Sequence, residues 1–190
     1  MSIENLKDMF FHELKDIYDA EKRILKALPK MAKKAESEEL QAAFEEHKSV
    51  TEKQVERLER IFEGLDKPAR GKKCLGMEGL LKEGEELIKE EDSSPALDAG
   101  LIAAAQKVEH YEIASYGTLV NWAKLLGLDE AAELLEETLA EEKQTDDTLT
   151  SIASEINHSA DDEEGEEDDE EDDGGDDDES MEYEESSQER

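Results

Sequence analysis

Four glutamates occupy positions where amphipathic helices should carry apolar residues. Glu21 follows Ile17 by four residues and precedes Ile24 by three, so it shares the inward side of that helix or its immediate edge. Glu109 and Glu112 form an E-x-x-E pair, with Glu112 four residues after Val108 and seven before Leu119. Glu142 follows Thr138 by four and precedes Leu149 by seven. Carboxylates drawn from three helices into one interior repel one another and lose hydration, so they must hold protons or surround cations. An E-x-x-E pair offers two ligands on one helix face, and bridging carboxylates of this kind hold two irons close enough to react with oxygen or peroxide between them. Glu21, Glu109, Glu112 and Glu142 are therefore the candidate metal ligands, with iron the candidate ion and other divalent metals as alternatives.

His47 is the candidate nitrogen ligand, and it reads equally well as a hydrogen-bonded histidine with no metal role. A faint duplication places Glu21 30 residues before Thr51 and Glu112 30 before Glu142. A symmetric two-metal site would put an E-x-x-H pair in each half. The second helix instead offers His47, Val50, Thr51 and Gln54, and the fourth offers Glu142, Thr145 and Asp146. Thr51, Gln54, Thr145 and Asp146 are candidate supports for the ligands. Tyr18, Tyr111 and Tyr116 fall within a turn or so of the acids. Their hydroxyls could donate to ligating carboxylates or pass an electron, although simple packing with the hydroxyl reaching water is the commoner use of such residues.

These side chains need long helices to position them. Leu6, Phe10, Leu14, Ile17, Ile24, Leu28 and Met31 trace one apolar stripe, interrupted by Pro29, which should kink or loosen the helix end. Ser37 should cap a second helix carrying Leu40, Phe44, His47, Leu58, Ile61 and Phe62, which Gly64 and the segment Asp66-Lys67-Pro68 should stop. Ser93, Ser94 and Pro95 start a third helix running to Leu126. Gly127 ends it, and Asp129 is the expected cap of a fourth that carries Ala131, Leu134, Leu135, Leu149, Ile152 and Ile156. Tight turns make each pair an antiparallel hairpin. The long link between the pairs, with a short helix predicted over about 77–91, fits the single crossover of a ferritin-like four-helix bundle. The fold class is all-α.

Composition separates this bundle, residues 1–158, from an acidic tail, 159–190. From residue 161 onward there are 20 acidic side chains and one basic, which predicts disorder because such a segment repels itself and has nothing to bury. The tail carries net −19 of the formal −34, leaving −15 on the remainder. Both parts are acidic and neither has a basic tract, which argues against nucleic acid and leaves a basic protein as a conceivable tail partner. No apolar run is long enough to cross a membrane, and the N-terminus has no secretory pattern, so a cytoplasmic location is expected. Cys74 is the single cysteine; it reads either as a redox thiol beside Lys72 and Lys73 or as a residue filling a pocket. Met9 and Phe11, off the main stripe, suggest a homodimer through the first hairpin.

The run LIAAAQKVEHYEIASYGTL over residues 101–119 resembles the third-helix signature of the YciF/YciE-type ferritin-like proteins, the family DUF892. DAEKRIL at 19–25, CLGMEGL at 74–80 and EETLAEEKQTD at 136–146 resemble its first helix, crossover and fourth helix. The resemblance implies a rubrerythrin-like bundle, commonly dimeric and associated with bacterial stress. In the wider superfamily a first-helix glutamate, a third-helix E-x-x-E and a fourth-helix glutamate are metal ligands, roles that Glu21, Glu109, Glu112 and Glu142 match. Similar members carry HLEET where this chain has HKSVT at 47–51, so Val50 stands in place of an acid. The expected function is that of a stress-associated metal-binding protein, with a carboxylate-bridged di-iron centre acting in peroxide reduction or Fe(II) oxidation. The alternative is a non-enzymatic dimer, structural or partner-binding, with a metal-free or singly occupied carboxylate cluster.

Overall fold

A helix begins where a side chain can take over the backbone N–H groups that its first turn leaves bare. In the computed structural model, which describes residues 3–90 and 92–167, Asn5 does this for α1 (Leu6–Lys34) by accepting from the Asp8 N–H. Ser37 and Ser94 do it for α2 (Glu38–Gly64) and α4 (Pro95–Leu125), accepting from Leu40 and Leu97. Between them lies the crossover helix α3 (Leu75–Glu90), and α5 (Asp129–Glu167) completes the chain. No strand occurs among the described residues.

Several helix ends differ from the sequence reading. Pro29, expected to kink or loosen the end of α1, lies inside the helix, which continues to Lys34; its ring is exposed, on the side where water can satisfy the carbonyl it leaves free. Gly64 is the last residue of α2 rather than its left-handed stop. Asp66 takes that conformation instead, with φ 53°, while the Lys67 N–H returns to the Phe62 carbonyl. Gly127 does act as expected at the end of α4: its φ is 66° and the Leu128 N–H reaches back to Ala123. Asp129 belongs to the first turn of α5, where its charge suits the helix dipole, and is not the residue before it. α5 continues to Glu167, beyond the boundary at residue 158 expected from composition; the rest of the acidic segment lies outside the described residues.

The helices close around a core that includes Phe10, Leu14, Ile17, Ile24, Phe44, Leu58, Leu101, Leu119, Leu135 and Leu149. Each such side chain contributes about 1.5–3 kcal/mol on burial. Leu6, at the head of the α1 stripe, is exposed. α1 packs on α2 and α4 on α5; α2 also meets α5, α1 meets α4, and α3 covers α1 and α4. Asp98, buried in the first turn of α4, accepts from the backbone N–H groups of Glu36 (2.9 Å) and Ser37 (2.7 Å). The starts of α2 and α4 are thereby fastened together, so these helices run parallel and the crossover must travel the length of the bundle.

The crossover is seated on α1 by backbone contact. The Lys72 N–H bonds the Lys15 carbonyl, and the Cys74 N–H bonds Asp19 at 2.8 Å. At Gly76 a Cβ would stand 2.8 Å from the Tyr111 ring, so any other residue would have to displace that ring. Phe11 lies edge-on to Phe62 with ring centroids 5.9 Å apart, which gives it a partner within the chain.

Candidate metal centre

All four bundle helices send a side chain to one point. His47 from α2, Glu109 and Glu112 from α4, and Glu142 from α5 each offer a ligand atom, and these atoms lie within 4.8 Å of one another. Every one of the four is buried, none more than 5% exposed. Glu21 from α1 is fully buried beside Glu112, within the field of Glu142. The helical phase that singled out the acids thus brings them together, and the imidazole joins them. Opposite ligands of a six-coordinate ion at about 2.1 Å stand about 4.2 Å apart, so small side-chain shifts would close the group around a cation.

Many polar atoms of the cluster lack partners. Eight buried side-chain atoms among the described residues have no hydrogen-bond partner, and all eight are here: Glu21 Oε2, His47 Nδ1, Gln54 Oε1, both oxygens of Glu109 and of Glu112, and Glu142 Oε2. Each orphaned atom costs about 1–3 kcal/mol, so a protein would not gather them without something to fill the gap. Burial and mutual repulsion raise the carboxyl groups, Glu21 to about 8 and Glu142 to about 7, with Glu109 and Glu112 well above the usual range. Burial pushes His47 down to about 4, which leaves its imidazole neutral with a lone pair to offer. Its Nδ1 is 3.5 Å from Glu109 Oε1, too long for a good hydrogen bond. Oxygen donors with one neutral imidazole suit iron, manganese or zinc, and the residues present fit a divalent cation.

A layer of hydrogen bonds holds part of this group in place. The Tyr116 hydroxyl, fully buried, donates to Glu21 Oε1. Gln54 Nε2 donates to Glu142 at 2.5 Å and to Glu141 at 3.1 Å. Arg57 then grips Glu141 through both terminal nitrogens, at 2.6 and 2.7 Å, and also reaches Glu137. The sequence reading missed Arg57 and Glu141. The available signal was that Arg57 follows Gln54 by three residues and precedes Ile61 by four, a charged residue on the buried stripe of α2.

Other candidate supports lie elsewhere. Thr51 is buried, but its hydroxyl donates to the His47 carbonyl, a bond within α2. Thr145 donates to the Glu141 carbonyl, and Asp146 accepts from Gln106 and faces His110. Tyr18 donates to Glu59 at 2.7 Å and packs edge-on against Phe62. Tyr111 donates to Asp16 at 2.7 Å and touches Cys74 Sγ at 3.0 Å. It is next to Glu112 in sequence, about 100° around the helix, and so faces α1 and the crossover rather than the carboxylates. Cys74 is buried and its thiol is pushed up by burial, the opposite of an activated thiolate.

A family model described as a domain of unknown function, DUF892, matches residues 5–160. Protein YciF of Escherichia coli (strain K12) is 45% identical over 163 residues, covering 85% of this chain and 98% of its own length. The crystal structure of the E. coli stress protein YciF superposes with a TM-score of 0.79 over 82% of this chain and 99% of that one. YcfI from Rhodopseudomonas palustris, 42% identical, gives 0.76 over 78% of this chain and 95% of that one. No helix among the described residues is long and apolar enough to cross a membrane.

Proposed function

As the chain belongs to the DUF892 family and has its ferritin-like bundle, we propose that it is a stress-associated protein that binds iron between Glu21, His47, Glu109, Glu112 and Glu142, and acts in peroxide reduction or Fe(II) oxidation. The observation that carries this reading is the set of eight unpartnered buried polar atoms, all directed into one cluster. The role in stress is taken from the description of the E. coli relative as a stress protein. Iron bound there supplies redox change and Lewis acidity.

The rest of the chemistry belongs to the chain. Glu21, Glu109, Glu112 and Glu142, all raised above the usual carboxyl range, retain protons between them at neutral pH that an arriving cation displaces, so binding releases protons. The Tyr116 hydroxyl fixes Glu21, and the Arg57–Glu141–Gln54 chain fixes Glu142. The surrounding apolar side chains exclude water and strengthen every charge interaction inside.

Anaerobic Fe(II) titration of chelator-stripped protein, with metal analysis and anomalous diffraction, tests the proposal. One or two ions at the cluster with saturable binding support it and make peroxide and ferroxidase assays the next step. Absence of saturable binding overturns it.

A second reading has its own observation. Glu21 stands against Glu112, and Glu109 against Glu142, closely enough for each pair to share a proton. Acids satisfied in this way need no metal, and the protein would then be a non-enzymatic dimer whose melting is unchanged by chelation. Sedimentation equilibrium at twice the 21.4 kDa chain mass is expected for the homodimer under either reading.

A further inference from the structure

The cluster is enclosed by helices, and a cavity open to the outside ends against it at His47. It lies between α2 and α5, holds about 160 Å³, and has Phe44, His47, Val50, Thr145, Thr148 and Leu149 in its wall. His47 is the single side chain common to this wall and the four-residue metal cluster. Its Nδ1 is buried without a hydrogen-bond partner beside Glu109, so the same ring meets the ligand atoms on one edge and the cavity elsewhere.

The lining decides what could use this cavity. Phe44, Val50 and Leu149 make most of its surface apolar, and the acidic Glu46 and Glu141 stand at its edges. Glu141 is already held by Arg57, which leaves Glu46 exposed at the rim. A hydrated cation would shed water against apolar walls, and an anion would meet Glu46. An uncharged molecule pays neither cost. The volume corresponds to about five waters at liquid density, room for a molecule of a few atoms and too small for an organic substrate of drug size.

We infer that the α2–α5 cavity is the passage by which a small uncharged oxidant of the peroxide or dioxygen class reaches the metal centre, with Val50 setting its width and His47 its inner end. This rests on the metal-binding reading above. Val50 is half-buried with open space beside it, so a larger residue there obstructs the passage without displacing the core. Thr148 is exposed on the rim, and a large side chain there covers the mouth from outside.

The test loads full-length protein with Fe(II) anaerobically and follows nitric oxide binding by stopped-flow absorbance, nitric oxide being a small neutral probe. Val50→Phe and Thr148→Trp should each slow binding at least tenfold, while Fe(II) content and melting temperature stay at wild-type values. Glu46→Gln should speed azide binding and leave the nitric oxide rate unchanged. Equal nitric oxide rates in wild type and both blocked variants overturn the passage alone, because iron would still be bound. Failure of wild-type protein to bind Fe(II) overturns the metal reading and the passage with it. The Thr148 variant keeps the test decisive if Val50→Phe fails to fold.

Discussion

Replacing Glu112 by methionine should stabilise the metal-free protein while abolishing its response to metal. Glu112 is 1% exposed, and neither carboxyl oxygen has a hydrogen-bond donor. Two such atoms would cost about 2–6 kcal/mol together if each paid the full penalty of about 1–3 kcal/mol. A proton shared with Glu21 recovers part of this, so about 2 kcal/mol is the working figure for the gain on substitution. Methionine is similar in length, equals glutamate in helix propensity and leaves no polar atom to satisfy. In a domain of this size 1 kcal/mol moves Tm by about 2–4 °C, which gives a rise of about 4–8 °C for Glu112→Met over stripped wild type. Metal should distinguish the two proteins. At a hundredfold excess over its Kd it stabilises wild type by about 2.7 kcal/mol, whereas the variant, short of one ligand, should melt nearly the same with and without it. Circular-dichroism melts after chelator treatment, repeated with Fe(II) under nitrogen, read both effects. A stripped variant that melts below stripped wild type would refute the reasoning, since the carboxyl would then be a net stabiliser through shared protons. A variant that metal stabilises as strongly as wild type would remove Glu112 from the ligand set.

Three further outcomes follow from the same geometry. Stripped protein should lose stability as pH rises from about 4.5 to 8: Glu21 and Glu142 titrate near 8 and 7 when folded but near 4.5 when unfolded, so the unfolded chain binds fewer protons throughout that range. His47, lowered from 6.5 to about 4, acts in the opposite direction between those values and offsets part of the loss, so the fall in melting temperature should be shallower below pH 6.5 than just above it. Asp98→Ala removes the acceptor of the Glu36 and Ser37 N–H groups and should cost about 2–3 kcal/mol in urea unfolding, with Asp98→Asn recovering part of it. Gly76→Ala brings a methyl group within 2.8 Å of the Tyr111 ring, and the displaced ring should release the Cys74 thiol, read as faster reaction with a disulfide reagent.

Much of this architecture was readable because burial repeats with the helical period. The acids Glu21, Glu109, Glu112 and Glu142 were recognisable as anomalies on apolar stripes, and the structure brings them within reach of one another. What periodicity gives is a direction around one helix; it does not say which neighbouring helix stands there. Tyr111 and Asp146 were close to the acids in sequence and yet face other partners, α1 with the crossover in one case and the outer part of α4 in the other. Arg57 and Asp98 could not be assigned roles for a related reason. Their partners lie 84 and 61 residues away, and a charged residue on a buried stripe has no meaning until the residue opposite is known. Asp66 shows the limit at turns: Gly64 and the segment Asp66–Pro68 were both expected to stop α2, but which of them takes the left-handed conformation, the aspartate, was not legible.

The cluster is built unevenly, and that bears on what it can do. Glu21 is tied by Tyr116, and Glu142 by Gln54 with Arg57 behind it, so the α1 and α5 contributions are fixed by hydrogen bonds to neighbouring helices. On α2 the imidazole Nδ1 has no hydrogen-bond partner, and the residue one turn further on is Val50, which bears no ligand atom and lines open space. A cation held here would be gripped by carboxylates from three helices and approached from the fourth. Restoring a carboxylate with Val50→Glu would close that side in two ways, adding a ligand and placing a charge in the apolar cavity. If the uneven construction serves access, Val50→Glu should bind Fe(II) more tightly yet admit nitric oxide more slowly; if it is merely a lost ligand, affinity should rise with the nitric oxide rate unchanged.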